Sequence, residues 1–158
     1  ELGNAVMRVI DDPMLVEKAG PATISRTSGF LLVELPSGRK LCYPSPRPSD
    51  IGKKDSFTYL GINQMSRKWV RLESYGAKLV ENYIQAVSCD LLCDALLRLD
   101  HAGYKTVLTV HDEAITEAPD TADYSLEKMS ALMTELPTWA TGLPLAAAGY
   151  EAYRYKKD

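Results

Sequence analysis

Tyr104-Lys105-Thr106-Val107-Leu108-Thr109-Val110-His111-Asp112-Glu113-Ala114-Ile115-Thr116-Glu117 is an apolar run interrupted by a histidine and two adjacent carboxylates. Residues 104–110 and 114–117 are therefore expected to pair as a hairpin, with His111, Asp112 and Glu113 at its tip. Tight hairpin turns favour Asn-Gly or Asp-Gly, because glycine tolerates positive φ. Asp-Glu is poor turn chemistry, and it sets two negative charges side by side. A cation would offset that repulsion. Magnesium prefers carboxylate and phosphate oxygens and keeps several waters, so one or two protein carboxylates suffice. Taken alone, the triplet reads more simply as an exposed acidic turn.

The segment before the hairpin is the clearest element in the chain. Neither glycine nor proline occurs between Gly76 and Gly103. That allows one helix of up to about 26 residues, roughly 39 Å long at 1.5 Å per residue. In its first half Leu79, Val80, Tyr83, Ile84, Val87 and Leu91 share an apolar face, with Lys78, Glu81, Asn82, Gln85 and Ser88 opposite. Further on, the apolar residues shift round to Leu92, Ala95, Leu96 and Leu99. Different neighbours are expected at the two ends.

Working outward, residues 2–19 have helical spacing with a break at Pro13, closed by Gly20-Pro21. Residues 23–25 and 30–35 read as strands. Pro36-Ser37-Gly38 turns the chain into 39–43, a second hairpin. Three prolines in residues 44–48 predict a loop. Residues 56–60 and 68–72 are extended, 123–136 form an amphipathic helix stopped by Pro137, and 145–155 are extended. The fold class is α+β: an antiparallel sheet with a hairpin, packed against a long helix and shorter helices.

A length of 158 residues predicts one domain, and 46% hydrophobic with 25% charged residues is ordinary for a globular protein. No apolar run approaches the roughly 18 residues of a membrane span. No leader is visible, and the chain begins at Glu1 rather than Met. A proteolytic fragment, a trimmed polypeptide or an excised domain would each explain that start. Cys42, Cys89 and Cys93 form no even framework and lack histidines at ligand spacing. They read as reduced thiols of an intracellular, cytoplasmic protein. The net charge of −3 conceals a division. Residues 26–78 carry ten Lys/Arg against four Asp/Glu, whereas residues 79–158 carry six against thirteen. A basic block could neutralise a phosphate backbone and an acidic one could hold divalent metal, although patchy surface charge is the simpler account.

One ordered series gives these features a common context. Tyr75-Gly76-Ala77-Lys78-Leu79-Val80-Glu81-Asn82-Tyr83-Ile84-Gln85-Ala86 is followed by Asp90-Leu91-Leu92, then Gly103-Tyr104 and the His-Asp-Glu strand. The series resembles the long palm helix and catalytic hairpin of family A DNA polymerases, especially the phage-type branch. Leu35-Pro36-Ser37-Gly38-Arg39 and Gly149-Tyr150 with Arg154-Tyr155 fit the same branch. The resemblance covers nearly the whole chain and is weakest over residues 1–25 and 119–145. It implies that residues 1–158 are the C-terminal part of a polymerase domain, the end of the fingers region plus a palm segment. Asp112 would then be a ligand of magnesium, with Glu113 a nearby carboxylate tuning the site. His111 would contact the primer terminus. Gln85 would donate into the duplex minor groove, where every base pair offers an acceptor. Asn82 and Lys78 would contact primer or template. Ala77 stands where the family often has an arginine. Arg39, Lys40, Arg47, Lys53, Lys54, Arg67, Lys68 and Arg71 are candidates for phosphate contacts.

Two-metal phosphoryl transfer needs a second strand-borne aspartate. In the family it lies far upstream, and neither it nor the nucleotide-binding fingers helix is present. Asp123-Tyr124-Ser125 has the right letters but opens a helix, where it reads as an N-terminal cap. Asp11-Asp12 reads as a helix end. The expected function is nucleotidyl transfer by the parent enzyme, with primer-template DNA, deoxynucleoside triphosphates and the missing N-terminal part as partners. The isolated chain is expected to be inactive. Apolar surface stripped of its neighbours could drive it to homodimerise. Two alternatives remain open: a non-catalytic DNA-binding or assembly module, such as half of a split polymerase, and a metal-dependent hydrolase recruiting Asp100 and His101.

Overall fold

Pro13 has no N–H and restricts the residue before it, so the first helix cannot run to residue 19. In the computed structural model, which describes residues 1–50 and 55–155, α1 spans Leu2–Asp11 and ends at Asp12 in extended backbone. The side chain of Asp12 accepts from the Met14 amide and turns the chain. Residues expected to continue the helix instead form β1, Glu17–Ala19, because they pair with β2.

The fold divides into two compact units, Glu1–Val87 and Ser88–Asp158. The first holds two antiparallel sheets. β1, β2 (Ala22–Thr27), β3 (Phe30–Glu34) and β4 (Lys40–Pro44) lie in chain order in a four-stranded sheet. β5 (Arg47–Pro48), β6 (Ser56–Ile62) and β7 (Trp69–Tyr75) form a three-stranded one. Pro44 and Pro48 therefore lie in strands, where a loop was expected. Both belong to edge strands, where a missing N–H costs no ladder bond.

Alternation along β2 and β3 turns Ile24, Leu31 and Val33 inward, where they meet Val6 and Val9 of α1, all fully buried. Phe57 of β6 joins the same cluster, so one core serves both sheets of this unit. Tyr43 packs edge-on against Phe57 and Tyr59, with ring centroids 5.8 and 5.0 Å apart. Arg26 donates to the Ile10 carbonyl at 2.9 Å and so ties down the last turn of α1.

The glycine-free segment forms one helix, α2, Gly76–His101, of 26 residues. Asp55 accepts from the Gly76 amide at 3.1 Å, satisfying one of the orphan N–H groups at its start. Leu79 is buried in the first unit's core with Tyr83 packed against it, whereas Val80 and Ile84 are exposed. The buried stripe is thus narrower than the sequence pattern predicts. The boundary between the units falls within this helix, after Val87.

In the second unit Leu91, Ala95 and Leu99 of α2 are buried, as is Tyr104. β8 (Lys105–Val110) and β9 (Glu113–Glu117) form a separate two-stranded antiparallel sheet. The expected single sheet is therefore three. α3 covers Leu126–Thr134, shorter than expected, because Ser125 caps it by accepting from the Lys128 amide. Among the described residues, 145–155 pair with no strand. Among the described residues no helix is long and apolar enough to cross a membrane. Cys42, Cys89 and Cys93 form no disulfide.

Candidate functional site

β8 and β9 pair from Lys105↔Glu117 to Val110↔Glu113, with a bulge between Thr106 and Leu108 that takes Val107 out of register. The closing pair, Val110↔Glu113, leaves His111 and Asp112 alone in the turn. Glu113, expected at the tip, is instead the first residue of β9. His111 has φ +55°, at a turn position ordinarily taken by glycine. Left-handed backbone costs an L-residue roughly 1–2 kcal/mol. The equivalent position between β2 and β3 is Ser28, with φ +50°, so both hairpins turn through left-handed backbone at a residue other than glycine. There Gly29 follows, whereas here Asp112 follows His111.

His111, Asp112 and Glu113 are all exposed. Two carboxylates on adjacent residues, one in the turn and one on the strand, present hard oxygen donors to solvent. That donor set suits a magnesium ion that keeps several of its waters. It is a partial set for a two-metal clamp. Among the described residues no group of three or more His, Cys, Asp or Glu side chains converges on a common metal position. Asp100 and His101, the last two residues of α2, therefore do not complete a ligand set with the hairpin.

The hairpin is anchored on one face and open on the other. The Thr116 hydroxyl lies 3.5 Å from the Met129 sulfur on α3, which sets the inward face. By alternation Leu108, Val110, Glu113 and Ile115 share the opposite face. There Leu108 and Val110 are 50% and 36% exposed.

The support beneath is specific. The Tyr104 hydroxyl donates to the Ser125 carbonyl and accepts from the Ser125 amide, both at 3.1 Å. Gly103, with φ +87°, leaves room for Tyr124, whose hydroxyl would lie 2.6 Å from a Cβ. Arg98 of α2 donates to the Leu132 and Glu135 carbonyls at the end of α3. Glu151 accepts from the Leu126 amide at its start. The Glu127 carboxyl is held below its ordinary range by its own backbone amide and the Ser125 hydroxyl. None of these contacts could be read from residue spacing, apart from the Ser125 cap.

Apart from His111, the residues expected to contact DNA that are named individually, Lys78, Asn82, Gln85 and Arg39, belong to the first unit. Lys78 and Gln85 are exposed on α2, and the Gln85 amide donates to Glu81 over a long 3.5 Å. Asn82 is half-buried rather than on an open polar face. Its amide lies 3.5 Å from the Tyr43 hydroxyl, whose pKa burial pushes up and this contact moderates. Arg39 donates to the Ala86 carbonyl at 2.9 Å and so joins the β3–β4 turn to α2. Several other basic candidates are also engaged. Lys40 pairs with Glu34 at 3.0 Å, and Arg71 donates to Ser45 and Thr58. Lys53 and Lys54 lie outside the described residues.

The chain is 44% identical over 156 residues to a DNA polymerase of Bacillus phage SP02. That alignment takes in 98% of this chain but 24% of the phage protein, so the chain spans about a quarter of its relative's length. It is homologous to a segment of that polymerase. No family model matches the chain. No solved structure matches it either.

Proposed function

We propose that this chain is the C-terminal palm segment of a phage-type, family A DNA polymerase. The parent enzyme would extend a primer 3′ end with deoxynucleoside triphosphates on a DNA template, in the cytoplasm. The observation that carries this reading is the 44% identity over an alignment of 156 residues, nearly the whole chain. The exposed carboxylates of Asp112 in the turn and Glu113 at the start of β9 support it.

In this reading Asp112 and Glu113 hold part of a magnesium site. Bound magnesium supplies activation of the primer 3′-hydroxyl and stabilisation of the leaving pyrophosphate. His111, exposed in the turn, positions the primer terminus. Gln85 donates to minor-groove acceptors, which tests base pairing without reading sequence. Lys78 meets backbone phosphate, and Arg39 holds the β3–β4 turn against α2 so that this face stays ordered. Asn82 supports the same face from its place beside Tyr43. The second metal-binding aspartate and the nucleotide-binding helix come from the remainder of the polymerase. The open face around Leu108 and Val110 is where apolar cover from that remainder is expected.

Primer extension with magnesium tests this directly, using the chain alone and then mixed with a polypeptide carrying the upstream polymerase motifs. Extension is expected only in the mixture and is abolished by Asp112→Ala. Extension by the chain alone that vanishes in the same variant would overturn the assignment of a partial site. Silence in the mixture with both polypeptides folded would overturn the polymerase reading.

A further inference from the structure

The tip of the β6–β7 hairpin combines two of the candidate phosphate-contacting cations, Arg67 and Lys68, with exposed apolar residues to which no role has been given. Ile62 and Trp69 close the hairpin as a direct cross-strand pair. Each is 59% exposed, although large apolar side chains usually find cover. Met65, in the turn between them, is 96% exposed. The turn itself is well built. Asn63 accepts from the Met65 and Ser66 amides through its side chain, and its backbone bonds both Arg67 and Lys68. Arg67 has φ +55°.

Charge separates this tip from the rest of the basic block. Among the described residues the Arg67 and Lys68 side chains have no hydrogen-bond or ion-pair partner, whereas Arg39, Lys40 and Arg71 are engaged. No acidic residue occurs between Asp55 and Glu73. Glu73 lies four residues along β7 from Trp69, roughly 13 Å away at 3.3 Å per residue, and accepts from Ser49. Two uncompensated cations thus directly precede an exposed indole at a hydrogen-bonded turn.

We propose that this tip binds single-stranded nucleic acid, with Trp69 stacking on an unpaired base and Arg67 and Lys68 meeting the flanking phosphates. Every base has a π-face, so such stacking is tolerant of sequence. A duplex offers the tip phosphates but no exposed base face for the indole. A protein partner would have to desolvate both cations. The proposal rests on the polymerase reading only for which strand is met, the unpaired template.

The full chain carrying Trp139→Phe makes Trp69 the sole tryptophan, titrated with a thymidine oligonucleotide of about twelve residues. If that variant misfolds, the unsubstituted chain labelled with 5-fluorotryptophan gives the same readout by fluorine NMR. Trp69 is expected to be quenched saturably. Trp69→Ala should weaken oligonucleotide binding about tenfold, with Trp69→Phe retaining most of it. Arg67→Ala with Lys68→Ala should lower the salt dependence by about 1.4, at roughly 0.7 per phosphate. An unmoved Trp69 signal at saturation, or unchanged binding in these variants, would overturn the proposal. An equal Trp69 response to duplex would overturn the single-strand assignment. Failure of primer extension in the mixture, with Trp69 quenching intact, would sink the polymerase reading and leave the tip standing.

Discussion

Ile24 and Val33 face each other across β2 and β3 with no surface left in water, whereas Leu108 and Val110 of β8 leave 50% and 36% exposed. All four are apolar strand residues, so the difference lies in what surrounds them. The first unit brings α1, two sheets and the start of α2 onto one core. The hairpin has α3 on one face and water on the other, and a two-stranded ribbon is marginal by itself. A closed core and a hairpin with an open apolar face therefore occur in one chain. Under the proposed function, that face is where the remainder of the polymerase would supply cover.

The largest test of the contrast is Phe57→Ala. Phe57 is 1% exposed in the core shared by both sheets of the first unit. Losing it should cost about 3–5 kcal/mol, read from urea denaturation followed by circular dichroism. A loss below about 1 kcal/mol would mean that the first unit is not closed as described.

A smaller, pH-dependent effect follows from the tyrosines of the same unit. Burial raises the pKa of Tyr43, Tyr59 and Tyr83 in the folded chain. A phenol whose folded pKa exceeds its unfolded value stabilises the fold fully below the unfolded value, about 10. That contribution is lost as pH rises through the folded value, because the unfolded chain releases its protons first. The urea midpoint of the first unit should therefore fall above pH about 10. Tyrosinate absorbance in the native chain should lag behind that of the unfolded chain. Coincident titration of native and unfolded chains would remove this argument for a dry aromatic cluster.

These two regions were not equally legible in the sequence. α2 could be read almost to the residue, because an unbroken segment between two glycines leaves helix little competition. β8 was legible as a short apolar run after Gly103, and β9 as the segment able to pair back against it. β1 was not, since Glu17-Lys18-Ala19 has no strand pattern and owes its conformation to pairing with β2. Nor could the exposure of Val80 and Ile84 be foreseen, because helical periodicity says which residues share a face but not how much of it a neighbour covers. At the site, the solvent-facing carboxylates of Asp112 and Glu113 were readable. The left-handed His111 was not. It depends on Val110 and Glu113 closing the hairpin, a register that the bulge at Val107 helps to set.

The smallest expected effect is also the one that most sharpens the comparison. Leu108→Ser removes an apolar side chain that is half in water, so the isolated chain should lose about 0.5 kcal/mol or less. A buried leucine truncated to a small side chain would cost several times that. If the outer face of the hairpin is covered by the rest of a polymerase, the same substitution acts elsewhere. It should weaken association in the mixture and lower primer extension, while Asp112 and Glu113 remain in place to hold metal. Raising the concentration of the complementing polypeptide should then restore the rate, since only binding was lost. A variant that is as active as the original at every concentration would mean that this face stays open in the assembled enzyme, leaving its apolar exposure without a partner. A large stability loss in the isolated chain would mean instead that the hairpin is already packed on both sides, and the contrast with the first unit would disappear.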